Sequence, residues 1–231
     1  MNKLKTMLCA ACALFLVMGV SARADSSNFA GPYIGIQALG LGAEFEGTSK
    51  SSAGTSSAVT DTATVGVTKG TVGAEAGYVL PLGSMMALDV GIQYLQGEAK
   101  IAHTNSATTT SAGNAHFTID DHVTYYIAPT LVLSDTSSLY LKAGVTQADT
   151  GVSGDVTTPG QLTGEMYAIG TRTVLASGIF IRTEAGFTEY NGISAHGKGG
   201  GTAGADLIDQ NTSFAAEPTI VHGSISLGFR F

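Results

Sequence analysis

Apolar and polar residues alternate one by one along much of this chain, most regularly at its C-terminal end. Val221, Gly223, Ile225, Leu227, Phe229 and Phe231 share one face of an extended strand, and His222, Ser224, Ser226, Gly228 and Arg230 share the other. The same period of two places Leu88, Val90, Ile92 and Tyr94 against Asp89, Gly91 and Gln93, and Leu139, Leu141, Ala143 and Val145 against Tyr140, Lys142, Gly144 and Thr146. Val72, Ala74, Ala76, Tyr78 and Leu80 oppose Gly73, Glu75 and Gly77, while Ile179, Ile181, Ala185 and Phe187 oppose Arg182, Glu184 and Gly186. Three further strands are expected over residues 33–45, 117–133 and 166–175, where Gly, Thr and Pro129 blur the alternation. The pattern therefore predicts eight strands.

The connectors fall into two classes. Pro81-Leu82-Gly83-Ser84, Ser134-Asp135-Thr136 and Ala176-Ser177-Gly178 are short and built from turn-forming residues. Residues 46–69, 102–114, 150–161 and 191–213 are long connectors rich in Ser, Thr, Gly, Ala and Asn. Long and short connectors alternate, so all the long ones leave from one end. A soluble barrel has no reason for that asymmetry, whereas a barrel threaded through an outer membrane keeps periplasmic turns short and lets external loops grow. Composition agrees, since 31 glycines, no tryptophan and 13% charged residues do not suit a helical bundle. No segment after residue 24 has 18 consecutive apolar residues, so no membrane-spanning helix is expected. The fold class read from the sequence is all-β, an eight-stranded antiparallel up-and-down transmembrane β-barrel over residues 25–231.

Residues 1–24 read as a signal peptide. Lys3 and Lys5 precede an apolar run of 14 residues, Met7 to Val20, and Ala22-Arg23-Ala24 offers the small-x-small pattern for cleavage after Ala24. At about 1.5 Å per residue that run spans about 21 Å as a helix, short of the roughly 30 Å hydrocarbon core. Both cysteines, Cys9 and Cys12, lie in this leader, so the exported chain is expected to be free of disulfides. With Lys3, Lys5 and Arg23 set aside, 8 basic residues face 18 acidic ones, a balance that excludes nucleic acid as a partner.

The leader, the Gly31-Pro32-Tyr33-Ile34-Gly35 opening of the first strand and the terminal Ile225-x-Leu227-x-Phe229-x-Phe231 together resemble the eight-stranded outer-membrane β-barrel proteins of Gram-negative bacteria, of the OmpA/OmpX type. The resemblance covers the whole chain after the leader. It implies residence in the bacterial outer membrane, outer-membrane lipids as surroundings, and recognition of Ile225, Leu227, Phe229 and Phe231 by the barrel assembly machinery. The chain stops at Phe231, so the peptidoglycan-binding domain of the two-domain members is not expected. A monomer is expected, and the ligand of the surface loops is not readable.

Chemistry is sparse. His222 and Ser224 share a strand face in the spacing of a base and a nucleophile, the kind of pair that lipid A deacylase barrels use with a carboxylate, but a polar lumen calls for such residues anyway. His103, His116, His122 and His196 show no metal-ligand spacing, Asp120-Asp121 suits a solvated rim, and Gly197-Lys198-Gly199-Gly200-Gly201-Thr202 lacks the order of a phosphate loop. No catalytic residue, metal or cofactor is expected. More weight falls on the inward charges. If the apolar stripes face lipid, Glu75, Asp89 and Glu184 share the interior with Lys142, Arg172, Arg182 and Arg230. All seven are expected in a lumen charge layer, the first six of them, at about 3.3 Å per residue and a tilt near 40°, paired in the half of the lumen nearest the short turns. The leading expectation is a non-enzymatic structural barrel with a filled lumen and long surface loops, serving adhesion, environmental interaction or membrane integrity. The alternatives are a narrow passive pore, a lipid-modifying barrel enzyme using His222 and Ser224, and a soluble exported ligand-binding barrel.

Overall fold

The computed structural model describes residues 24–51, 59–96, 99–103, 115–153, 157, 160–197 and 213–231. Apart from Ala24, the leader lies outside them, as do the tips of the long connectors and the stretch from Lys198 to Thr202. The strands are β1 (Gly31–Ser51), β2 (Val59–Pro81), β3 (Met86–Gln96), β4 (Ala99–His103), β5 (Ala115–Val132), β6 (Ser137–Ser153), β7 (Leu162–Val174), β8 (Ile179–Tyr190), β9 (Ile193–His196) and β10 (Ser213–Arg230). β4 resumes the line of β3 along β5, and β9 resumes that of β8 along β10. Ten strands thus make eight staves. Each stave pairs antiparallel with its sequence neighbour, and β1 pairs with β10 from Tyr33↔Arg230 to Lys50↔Ser213, which closes the barrel. Closure leaves no sheet edge in the wall, the condition under which strands can cross lipid.

Alternation sorts the side chains as the sequence suggests. Ile36, Val72, Val145 and Ile225 are more than half exposed on the outer face, while Glu75, Gln93, Lys142, Arg182 and Ser226 are buried between them on the inner face. An apolar exterior around a polar interior inverts the arrangement of a water-soluble protein and removes the soluble ligand-binding reading. Leu141 also follows the outward parity, opposite Ile169 in the register, yet it is only 4% exposed. One position breaks the alternation. Between Asp120 and Val123 the β5–β6 register shifts, leaving one extra residue on β5, and Asp121 takes a left-handed φ of 48°. Tyr94 donates to its carboxylate at 2.7 Å. The bulge lets His122 point inward below it and Ile119 point inward above it.

The strands are longer than the sequence pattern suggests. β1 and β2 run as one ladder out to Ser51↔Val59, so most of the connector expected at residues 46–69 is hairpin. β6 reaches Ser153, β4 reaches His103, and β9 lies inside the connector expected at 191–213. These extensions are Ser-, Thr-, Gly- and Ala-rich. With no lipid or core to select apolar residues on one face, the ladder hydrogen bonds persist while the hydrophobic signal disappears.

Apolar side chains fill both ends of the lumen. At the short-turn end Phe29, Tyr33, Val79, Ala87, Val132 and Phe180 pack together. At the long-loop end Leu39, Leu41, Ala43, Ile119, Ala148, Leu162, Tyr190 and Ile220 do so. If the outer face meets hydrocarbon, Ile36→Arg costs about 2–4 kcal/mol in reversible urea unfolding from lipid vesicles, followed by circular dichroism because the chain has no tryptophan, whereas Thr48→Arg beyond the apolar belt costs close to nothing. Equal costs at the two positions would place the belt wrongly.

A buried charge cluster in the lumen

Between the two apolar clusters lies a layer of ionised side chains. Its centre is Arg182 on β8, buried to within 2%. The Arg182 guanidinium donates from Nη1 to Glu75 Oε2 at 2.7 Å and to the Tyr126 hydroxyl at 3.3 Å, and from Nη2 to Asp89 Oδ2. β3, which carries Asp89, is diametrically across the eight staves from β8, so this side chain spans the lumen. Asp89 also accepts from the Tyr33 hydroxyl at 2.7 Å, and the Tyr33 and Tyr126 hydroxyls meet at 2.5 Å.

Arg172 and Arg182 are direct register partners on β7 and β8, a like-charge pairing that costs stability unless something lies between them. Asp89 Oδ2 does so, bonding Arg182 and standing 3.5 Å from Arg172 Nη2. The second half of the layer is built on Glu184, whose carboxylate receives Lys142 Nζ at 2.9 and 3.1 Å and the Tyr140 hydroxyl at 2.9 Å. His222 Nε2 lies 3.3 Å from the same carboxylate. Lys142 donates further to Gln93 Oε1 at 3.0 Å, and Gln93 passes the chain on to Gln37 at 3.0 Å. Aromatic faces complete the neutralisation, with Lys142 4.1 Å from the Tyr126 ring centroid and Arg172 4.3 and 4.4 Å from those of Tyr33 and Phe180.

The structure thus brings together Glu75, Asp89, Lys142, Arg172, Arg182 and Glu184, three acids with three bases. Arg230 does not join them. It lies at the short-turn rim and donates from Nη1 to the Ser27 and Ala30 carbonyls at 3.2 and 3.1 Å, because its place at the end of β10 sets it below the layer. Sequence reasoning missed the uncharged members: Tyr33, Tyr126, Tyr140, Gln37 and Gln93, and also His222 in this role. A signal for the tyrosines was present. A Cβ on Gly77 would come within 2.6 Å of the Tyr33 hydroxyl, and one on Gly91 equally close to that of Tyr126, so inward glycines mark where a neighbouring stave lays a ring across the wall.

The arrangement binds charge tightly and leaves little room for anything else. Above the layer, His122, Thr124, Thr146, Thr188, Tyr190 and His222 help line a cavity of about 10 Å³, barely enough for one water. His122 spends its Nδ1 on the Tyr190 hydroxyl at 2.5 Å, and Thr124 bonds Thr146 at 2.8 Å. His222 is engaged with Glu184, and no hydrogen bond joins it to Ser224 among the described residues. The imidazole is thus directed at the carboxylate and not at the neighbouring hydroxyl.

A family model of the outer membrane protein beta-barrel domain matches residues 10–216, and the chain belongs to this family. Similar solved structures include the outer membrane protein OprG of Pseudomonas aeruginosa, with 12% identity over 87% of this chain and 97% of that one at a TM-score of 0.44. Neisserial surface protein A matches with 10% identity over 87% and 97% of the two chains at 0.43. Ail, the attachment invasion locus protein of Yersinia pestis, in complex with the heparin analogue sucrose octasulfate, matches with 11% identity over 85% and 99% at 0.39. No curated protein matches the chain.

Removing one member of a buried ion pair leaves its partners uncompensated, at a cost of about 3–5 kcal/mol. Arg182→Met, which strands Glu75 and Asp89, is expected to lose that much in urea unfolding, whereas Arg230→Met at the rim loses about 1 kcal/mol or less. Similar losses from both variants would mean that the layer does not hold the barrel together.

Proposed function

We propose that the protein is a closed, non-enzymatic barrel of the Gram-negative outer membrane that carries a tall outward-facing surface, used in adhesion, environmental interaction or membrane integrity. The observation that supports this most directly is the filled lumen: among the described residues a neutralised charge layer is packed between two apolar clusters. A narrow passive pore would need a continuous path. What the barrel offers is its exterior.

In this reading the leader at residues 1–24 is removed after export, the short turns face the periplasm, and the long connectors face outward. Ile225, Leu227, Phe229 and Phe231 stand exposed on the lipid side of β10, where the barrel assembly machinery would read them. β1 runs nine residues past Gly42, so at about 3.3 Å per residue the first hairpin stands about 30 Å along the strand beyond the apolar belt. A monomer surrounded by outer-membrane lipids presents this hairpin, and the loop ligand belongs to its Ser- and Thr-rich tip.

Two measurements test the reading together. Purified protein in planar bilayers should show no steady conductance, and protease added to intact cells should cut within residues 52–58 or 198–212 while sparing the turns at 82–85 and 133–136. Stable channels in the native protein would replace the closed barrel with the pore, and cleavage at the short turns would invert the topology.

A further inference from the structure

Residues 25–30 belong to no stave, yet two of their side chains, Ser26 and Phe29, are only 1% exposed. Ser26–Asn28 form one 3-10 turn, capped by the Asp25 side chain, which accepts from the Ser27 N–H at 2.9 Å. The turn brings Phe29 up into the short-turn mouth, where it is 1% exposed among Val79, Ala87, Val132 and Phe180. Two separate parts of the barrel hold it there. The hairpin turn between β2 and β3 accepts the Ser26 N–H on the Ser84 carbonyl at 2.8 Å and the Ser26 hydroxyl on the Gly83 carbonyl. The last strand contributes Arg230, with its two bonds to the Ser27 and Ala30 carbonyls.

The layer above depends on what Phe29 covers. Tyr33 and Phe180 meet edge to face at 5.5 Å, and Arg172 lies against both rings. Arg172 is the most loosely held cation of the layer: its one carboxylate contact is 3.5 Å long, and its buried Nε has no hydrogen-bond partner. Water reaching this point would solvate Arg172 and weaken the layer's electrostatics.

We propose that residues 25–30 are a stopper that seats only on the closed barrel, bars water and small ions from the charge layer at the short-turn end, and opens that end when it withdraws. Seating needs β10 in place because Arg230 supplies two of its bonds. The apolar cluster at the long-loop end stays shut when the stopper leaves, so the opened lumen is a blind pocket and not a channel.

A buried thiol tests this. Cys9 and Cys12 both lie in the leader, and Ser138, 1% exposed and paired with Val132 and Arg172, marks the space directly behind the stopper. The full chain carrying Ser138→Cys is reconstituted in vesicles and treated with a small cationic thiosulfonate, and modification is read by mass on the peptide holding residue 138. The site should stay protected with the native stopper and react at least tenfold faster with Phe29→Ala, while conductance stays at baseline. Should Phe29→Ala fail to fold, as judged by circular dichroism, Ser26→Ala and Arg230→Met loosen the stopper without touching the ladder and should each raise the rate. Equal rates in the native and loosened forms would overturn the proposal, as would ready labelling of Ser138→Cys behind an intact stopper or the onset of conductance in Phe29→Ala.

Discussion

Charge enclosed in a space too narrow for bulk water has to be neutralised by whatever else is enclosed with it. Eight staves give a lumen only wide enough for side chains, and six of those are ionised. Everything else about the interior follows from that requirement. Tyr33 on β1, Glu75 on β2, Asp89 on β3, Tyr126 on β5, Arg172 on β7 and Arg182 on β8 form one bonded set, Lys142 on β6, Glu184 on β8 and His222 on β10 a second, and Lys142 over the Tyr126 ring with Arg182 over the Tyr140 ring joins the two, so every stave contributes to the layer. The network is a cross-section of the barrel, and it cannot be completed by any subset of the strands.

The wall and the lumen consequently divide the work. The ladder satisfies the backbone groups and makes the strands insoluble in each other's absence, while the outer apolar belt fixes the depth in hydrocarbon. The strand order sets which staves face each other, and the cross-lumen bonds tie those facing staves together, with Arg182 reaching from β8 to Asp89 on β3 directly opposite. Arg172 beside Arg182 shows how closely the set is tuned: on the wall alone the two would repel, and Asp89 from the far side makes the pairing tolerable.

Most of the wall was readable from period-two alternation, because lipid outside and polar groups inside impose opposite demands on successive residues. β3 and the lower half of β10 are clear cases. Legibility failed where one of the two demands was absent. The upper halves of β1 and β2 have water on the outside, so Thr, Ser, Gly and Ala suffice and the segment reads as loop although it is laddered throughout. The inward charges were legible by parity, and Arg230 was misplaced only because parity gives the face and not the height. The hydroxyl and amide partners were not legible in the same way, since Tyr33 or Gln93 on an inward face looks like ordinary lumen filling until the register shows what lies across from it. The bulge at Asp121 was hidden too, as one extra residue reverses the parity of everything above it.

The seam between the first and last strands has a kinetic meaning. β1 and β10 share a register from Tyr33 to Lys50, eighteen positions, whereas β2 and β3 share ten. The joint that can be made only after the whole chain has been delivered is thus one of the longest in the wall, exceeded only by the twenty-one positions of β1 with β2. The last joint to form is therefore not the shortest in the wall, and counted by ladder length the weak joints lie around β3 and not at the seam.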